Sequence, residues 1–281
     1  MCGRVACTLA PQTLLDETCA EKWSAVSDAT SYQSFNAGPT CNLPVLVANC
    51  SLSDVPMLKL MKWGLIPSYS KTGKMENSTF NARSETVTCK SMFKRLVNRR
   101  RCVAVVDGYY EWQNNGMCKQ PYFVSSHNSN VLYMAGLFDC WENKLEGNQT
   151  FSFTVLTMDS GEDLSWLHHR KPVILDSEAK LRSWLAPESE FDFNTFMRSL
   201  GEDAKPLRIT KVSALVNSVK NNSPNCKKPL AEVQKEGISK FLVPRSSLPT
   251  PTQKTVQTKQ TTKVKKEPTT NQPTLSAFWK Q

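Results

Sequence analysis

Three histidines in 281 residues, ten scattered cysteines without a Cys-x-x-Cys pair, and no long apolar run set the first limits. With neither paired thiols nor His-rich spacing there is no zinc-ligand pattern and no disulfide framework. No metal and no cofactor is therefore expected, and most cysteines read as reduced, small core residues. No stretch approaches the ~20 apolar residues of a membrane span, and no hydrophobic segment follows Met1, so neither a membrane nor secretion is expected. There is also no internal repeat and no alternating strand–helix–strand pattern, which argues against a doubly wound sheet. Hydrophobic residues at 40% are enough for a packed core.

Acidic residues are scarce relative to basic ones. Lys and Arg number 35 against 25 Asp and Glu, a net charge of +10 that suggests an anionic partner, nucleic acid ahead of membrane. The excess is uneven. From residue 245 to 281 seven basic residues face Glu267 alone, and Thr, Pro, Gln and Ser fill most of the remainder. That composition predicts a disordered basic tail over 244–281, following a domain over 2–243 that is only mildly basic.

Within the domain, short strands are expected at 3–8, 44–48, 57–63 and 102–106, a hairpin over 109–125 turning at Asn114-Asn115-Gly116, and further strands at 131–138, 151–157 and 207–212. Helices are expected at 12–20 behind Pro11, at 84–97 with Ser84 as N-cap, and near 178–185 and 191–200. The fold class that follows is α+β, a single domain around a largely antiparallel, barrel-like β-sheet with flanking helices. The basic cluster Lys94, Arg95, Arg99, Arg100 and Arg101 lies at the end of the 84–97 helix, a secondary candidate for DNA contact.

The first four residues, Met1-Cys2-Gly3-Arg4, carry unusual chemistry. A small second residue predicts removal of Met1, leaving Cys2 with an α-amine and a thiol on neighbouring carbons. Their unperturbed pKa values, near ~8 and ~8.5, leave both partly deprotonated around neutral pH. Such an aminothiol condenses with an aldehyde and closes to a thiazolidine. By itself the segment reads equally as a frayed terminus.

Six separated blocks occur in order: Cys2-Gly3-Arg4, Asn36-Ala37-Gly38-Pro39-Thr40, Lys62-Trp63-Gly64-Leu65-Ile66-Pro67, Asn81-Ala82-Arg83-Ser84-Glu85, Arg101-Cys102 leading to Gly108-Tyr109-Tyr110-Glu111-Trp112, and His168-His169-Arg170-Lys171-Pro172. Together they resemble the SRAP (SOS response-associated peptidase) family over roughly residues 2–230, with Lys171 departing from the family's usual Met. The resemblance implies covalent capture of abasic sites in single-stranded DNA, the processed Cys2 forming a thiazolidine with the ring-opened sugar. It assigns Asn81 to hold the amine, Glu111 as catalytic acid and His168 to proton transfer, with the adjacent His169 as the rival histidine. It further implies DNA contacts through Arg4, Arg83 and Arg170 on phosphates, a wedge of Pro39, Trp63 and Leu65, and Thr157 lining the pocket. Two other readings stay open: an N-terminal-nucleophile cysteine peptidase, and a non-covalent reader of DNA or modified bases.

In the tail, Gln272, Leu275, Phe278 and Trp279 resemble the motif that docks on the sliding clamp PCNA, and Lys265 sits in the pattern of a SUMO acceptor. These features imply a nuclear protein acting on chromatin at replication forks.

Overall fold

A computed structural model describes residues 3–18, 20, 22–23, 31–48, 56–75, 79–116, 118–186, 191–201 and 204–241, with side chains as far as residue 235. Cys2, Lys265 and the residues 272–279 lie outside the described residues. The chain separates into a unit of residues 1–240 and a segment of residues 241–281.

The first half of the unit runs β1 (Val5–Cys7), α1 (Pro11–Thr18), β2 (Ser34–Ala37), β3 (Asn42–Val47), β4 (Met57–Trp63), β5 (Asn81–Arg83), α2 (Ser84–Val87), α3 (Ser91–Val97) and β6 (Arg101–Val106). The second half runs β7 (Gly108–Asn114), β8 (Lys119–Ser126), β9 (Leu132–Glu142), β10 (Gln149–Asp159), α4 (Gly161–Ser165), β11 (Arg170–Pro172), α5 (Glu178–Leu185), α6 (Phe193–Ser199), β12 (Leu207–Lys211) and α7 (Leu230–Phe241). This is the expected α+β architecture.

Five strands close a barrel in the order β10-β4-β3-β6-β9, with β9 returning to pair with β10. All these pairings are antiparallel except β4 with β10, where Lys62 and Trp63 lie opposite Ser152 and Phe153. Closure leaves these strands no free edge to aggregate through. All six residues of β6 are buried because α5 and β1 cover its outer face, with Trp184 Nε1–H donating to the Cys102 carbonyl and Cys7 Sγ to the Val105 carbonyl. Gly136 sits at the β9–β10 seam. A Cβ there would stand 2.6 Å from the carbonyl oxygen of Thr154 and 3.2 Å from Cys102 Sγ, so the closing strands approach too tightly for any side chain.

A second sheet, ordered β12-β8-β7-β1-β2, packs alongside. Along β7 the side chains alternate between two cores. Tyr109 enters the main core with the barrel residues, whereas Tyr110 enters a smaller cluster with Ala6, Phe123, Val212, Val216 and Cys226. Period-two alternation then sends Glu111 to the face of Tyr109 and Trp112 to the face of Tyr110.

Several local expectations change. The 84–97 helix is two helices. Thr86 carbonyl oxygen accepts from both the Cys89 and Lys90 amides, which closes the first, and Lys90 is extended (ψ 122°) before the second begins. Ser84 is not the cap. Arg83 holds that position without a side-chain bond, and Ser84 is buried inside the first turn. Elsewhere capping follows the sequence, with Ser177 Oγ accepting from the Lys180 amide and Asp192 from the Asn194 and Thr195 amides.

The basic cluster is likewise not one solvated face. Arg101 is buried, donating from Nε to the Trp184 carbonyl at 2.7 Å, from NH1 to the Val97 and Asn98 carbonyls at 2.8 and 2.7 Å, and from NH2 to the Ala186 carbonyl. One guanidinium thus closes the C-terminal ends of α3 and α5 together. Arg95 pairs with the buried Asp139, while Lys94 and Arg99 line a surface groove of about 450 Å3 with Ser91 and Asn98.

Candidate functional site

The candidate site forms where β1 runs out. Val5 and Ala6 pair with Tyr109 and Gly108, and the Tyr110 amide donates to the Arg4 carbonyl at 2.8 Å. Continuing that register by one step sets Gly3 opposite Glu111. Beyond Tyr110, the edge of β7 therefore faces Gly3.

Beside this edge lies a cavity of about 440 Å3, lined by Glu111, Trp112, Asn114, Lys119 and His168. Glu111 is 4% exposed, consistent with its position on the core-facing side of β7. His168 is half-buried at the end of the turn that follows α4. Its Nδ1 accepts the Arg170 amide proton at 3.0 Å, so the neutral ring carries its hydrogen on Nε2. Burial lowers the pKa of His168 from the ordinary imidazole value; the charge of Glu111 opposes that shift and His169 adds to it. The result is a carboxyl group and a neutral imidazole sharing one cavity, able to give and take a proton around a bound reactant. His169 stacks on His168, with centroids 4.3 Å apart, but is itself exposed.

The other proposed site residues divide. Arg4 donates from NH1 to Asn36 Oδ1 at 2.7 Å and to the Val216 carbonyl at 2.9 Å, and its guanidinium lies 5.8 Å from the Trp112 ring centroid. The Asn36 amide reaches the Val216, Ser218 and Asn221 carbonyls, so this pair clips the 214–222 segment against the site wall. Pro39 is half-buried beside Gly38, whose open side is bounded by Arg4 Nε, Val219 and the Gly3 carbonyl. Arg83 is exposed. Asn81 lies outside the cavity wall, in β5 opposite Val155, with its Oδ1 buried.

Two assignments need correction. Trp63 and Leu65 are fully buried members of the main core, and the Trp63 indole N–H donates to the Phe80 carbonyl at 3.0 Å. Neither can wedge a DNA strand without the barrel being opened. Arg170 is also buried. It grips Glu85 through two nitrogens, at 2.6 and 3.0 Å, and the Thr157 carbonyl at 2.6 Å. That guanidinium is committed to the protein and holds the Glu85 carboxyl below the usual carboxylate range. Thr157, fully buried, receives this arginine rather than lining the cavity.

Sequence reasoning passed over Asn114, Lys119, Trp166 and Val219. Trp166 is 45% exposed and stands edge-on to Tyr122, centroids 5.2 Å apart. Its signal was an indole two residues before His168, in the turn that follows the acidic Glu162 and Asp163.

Two of the described core cysteines, Cys7 and Cys102, are poor nucleophiles. Burial pushes the Cys7 and Cys102 thiols well above the ordinary value, so both stay protonated.

Comparisons with known proteins identify the family. The abasic site processing protein HMCES of Xenopus tropicalis is 36% identical over 276 residues, covering 84% of this chain and 81% of that protein. The abasic site processing protein YoqW of Bacillus subtilis is 31% identical over 227 residues, 80% of this chain and 97% of that protein. A solved structure from Bacteroides thetaiotaomicron shares the fold with a TM-score of 0.68 at 21% identity, covering 82% of this chain and 99% of that one. Residues 1–219 match the family described as SOS response associated peptidase. With a match of that extent, the chain belongs to the SRAP family.

Proposed function

We propose that this protein captures abasic sites in single-stranded DNA as a covalent thiazolidine through Cys2, after Met1 is removed. The observation that carries the reading is the strand register. Extended one step past the Tyr110–Arg4 bond, it runs Gly3, the residue after Cys2 in sequence, towards Glu111, which lines the cavity with His168. The relatives named abasic site processing proteins supply the substrate class. An abasic sugar equilibrates with an open aldehyde, and a single strand exposes it without the cost of extruding a nucleotide from a duplex.

The chemistry runs in three steps. Glu111 protonates the sugar ring oxygen as the ring opens to the aldehyde. The Cys2 amine attacks the carbonyl carbon, and water leaves to give an imine, with His168 moving the protons. The Cys2 sulfur then adds to the imine carbon while nitrogen takes up a proton, closing the five-membered ring. The net change is aldehyde plus aminothiol giving thiazolidine plus water. Asn81 orients the amine, and Arg4, Arg83 and Pro39 meet the strand. Release would run the same steps backwards, with Glu111 as the acid.

In the tail, Gln272, Leu275, Phe278 and Trp279 fit docking on a sliding clamp, and Lys265 fits a SUMO acceptor, placing the activity in the nucleus at replication forks. The test is incubation of the mature protein with a single-stranded oligonucleotide carrying one abasic site. A denaturation-resistant complex is expected with the native chain and none with Cys2→Ala or with a borohydride-reduced site. Equal crosslinking by Cys2→Ala would falsify the mechanism. The family's description as a peptidase favours a second reading, with Cys2 as an N-terminal nucleophile that first removes Met1; DNA-independent cleavage of a second protein would support it.

A further inference from the structure

The exposed indole of Trp166 is fixed in place without being buried. Its Nε1–H donates to the Asp163 carbonyl at 3.1 Å, its own carbonyl accepts from Gln113 Nε2 at 3.4 Å, and its ring stands at 86° to Tyr122. Tyr122 is the cross-strand partner of Glu111, so the indole sits one strand over from the acid of the site and two residues before His168. Holding an aromatic rigid in water forfeits rotamer freedom without gaining full burial. The neighbouring Trp112 is already engaged, its N–H on Asn217 Oδ1 at 2.7 Å and the Arg4 guanidinium over its ring. From β8, Lys119 also lines the cavity, exposed and opposite Asn114 in register. A fixed indole beside a cavity of about 440 Å3 that is itself lined by an ammonium and an amide matches one kind of occupant, a nucleotide of a single strand, its base on the ring and its phosphate on the cation.

We infer that Trp166 is a stacking platform for the base next to the abasic position, with Lys119 holding that nucleotide's phosphate. The inference rests on the proposed single-stranded DNA substrate. It adds a base-dependent subsite: the protein reads the presence of a neighbouring base while the lesion itself presents none.

The experiment measures equilibrium binding of the full-length chain to two single-stranded oligonucleotides. Both carry tetrahydrofuran at the centre, a sugar without an aldehyde, so no covalent step intrudes. One keeps ordinary bases on either side, and the other has tetrahydrofuran there too. The chain is expected to prefer the base-flanked strand by roughly 5- to 100-fold. Trp166→Ala should bring that ratio towards one, and Trp166→Phe should keep most of it. Lys119→Ala should weaken both strands alike and flatten the salt dependence by about 0.7 in log–log slope. A native chain without preference, an undiminished preference in Trp166→Ala, or equal weakening of both strands by that variant overturns the platform. Crosslinking to a true abasic strand is read separately. Its failure beside a Trp166-dependent preference removes the covalent reading and leaves the platform; the reverse outcome removes only the platform.

Discussion

His168 shows how much a single backbone hydrogen bond determines. With Nδ1 accepting the Arg170 amide and burial disfavouring the imidazolium, the ring stays neutral below the pH at which a free histidine would charge. Its NMR titration midpoint should therefore fall below 6.5. Because the Glu111 charge holds the value up, Glu111→Gln should lower it further; a rise would contradict the shared cavity. The sign for stability follows: the unfolded histidine binds the proton first, so stability present above pH 6.5 declines as pH falls towards the folded midpoint. Arg170 poses the opposite case. The motif predicted a phosphate contact, because a sequence shows an arginine's charge but not its partner. Glu85 stood in the same quoted blocks, yet nothing in the spacing says that the two meet across β10. Arg170→Ala should cost about 2–3 kcal/mol of stability and leave the salt slope of DNA binding unchanged. Arg83→Ala, on an exposed residue, should do the reverse and reduce the slope by about 0.7.

At the scale of elements, apolar patterning located the strands well where both faces are buried, as in β6, or where alternation is clear, as in β4. It failed where three-dimensional neighbours decide. β2, with Ser34, Phe35, Asn36 and Ala37, has no hydrophobic signature because its role is to present Asn36 to the 214–222 segment. The break between α2 and α3 turns on which carbonyl captures the Cys89 and Lys90 amides, which periodicity does not register. Arg101 was assigned with its charged neighbours for the same reason: four backbone acceptors around one guanidinium come from segments more than 80 residues apart. Arg101→Lys keeps the charge but not the fork, and leaves buried carbonyls without donors. About 3 kcal/mol is the expected loss, seen as a drop of roughly 6–12 °C in Tm. A change within 1 °C would mean that water serves those carbonyls equally well.

For the whole molecule, composition raised the expectation of a basic tail, and residues of two distant family blocks, Glu111 with Trp112 and His168, line one cavity. The wedge residues were misread because Trp and Leu in a motif serve packing as readily as recognition, and only burial distinguishes the two. The division near residue 240 makes a direct prediction. A chain ending at 240 should crosslink an abasic strand at a rate within about twofold of the full protein, while losing capture by an immobilised sliding clamp. Loss of crosslinking on truncation would move part of the site into the tail. The clip from Arg4 through Asn36 to Val216 joins positions 212 apart in sequence. On a ribosome, Arg4 therefore emerges long before the segment to which it is clipped. If Cys2 captures aldehydes as proposed, a stalled nascent chain lacking residue 216 would carry its aminothiol without the clip that holds Arg4.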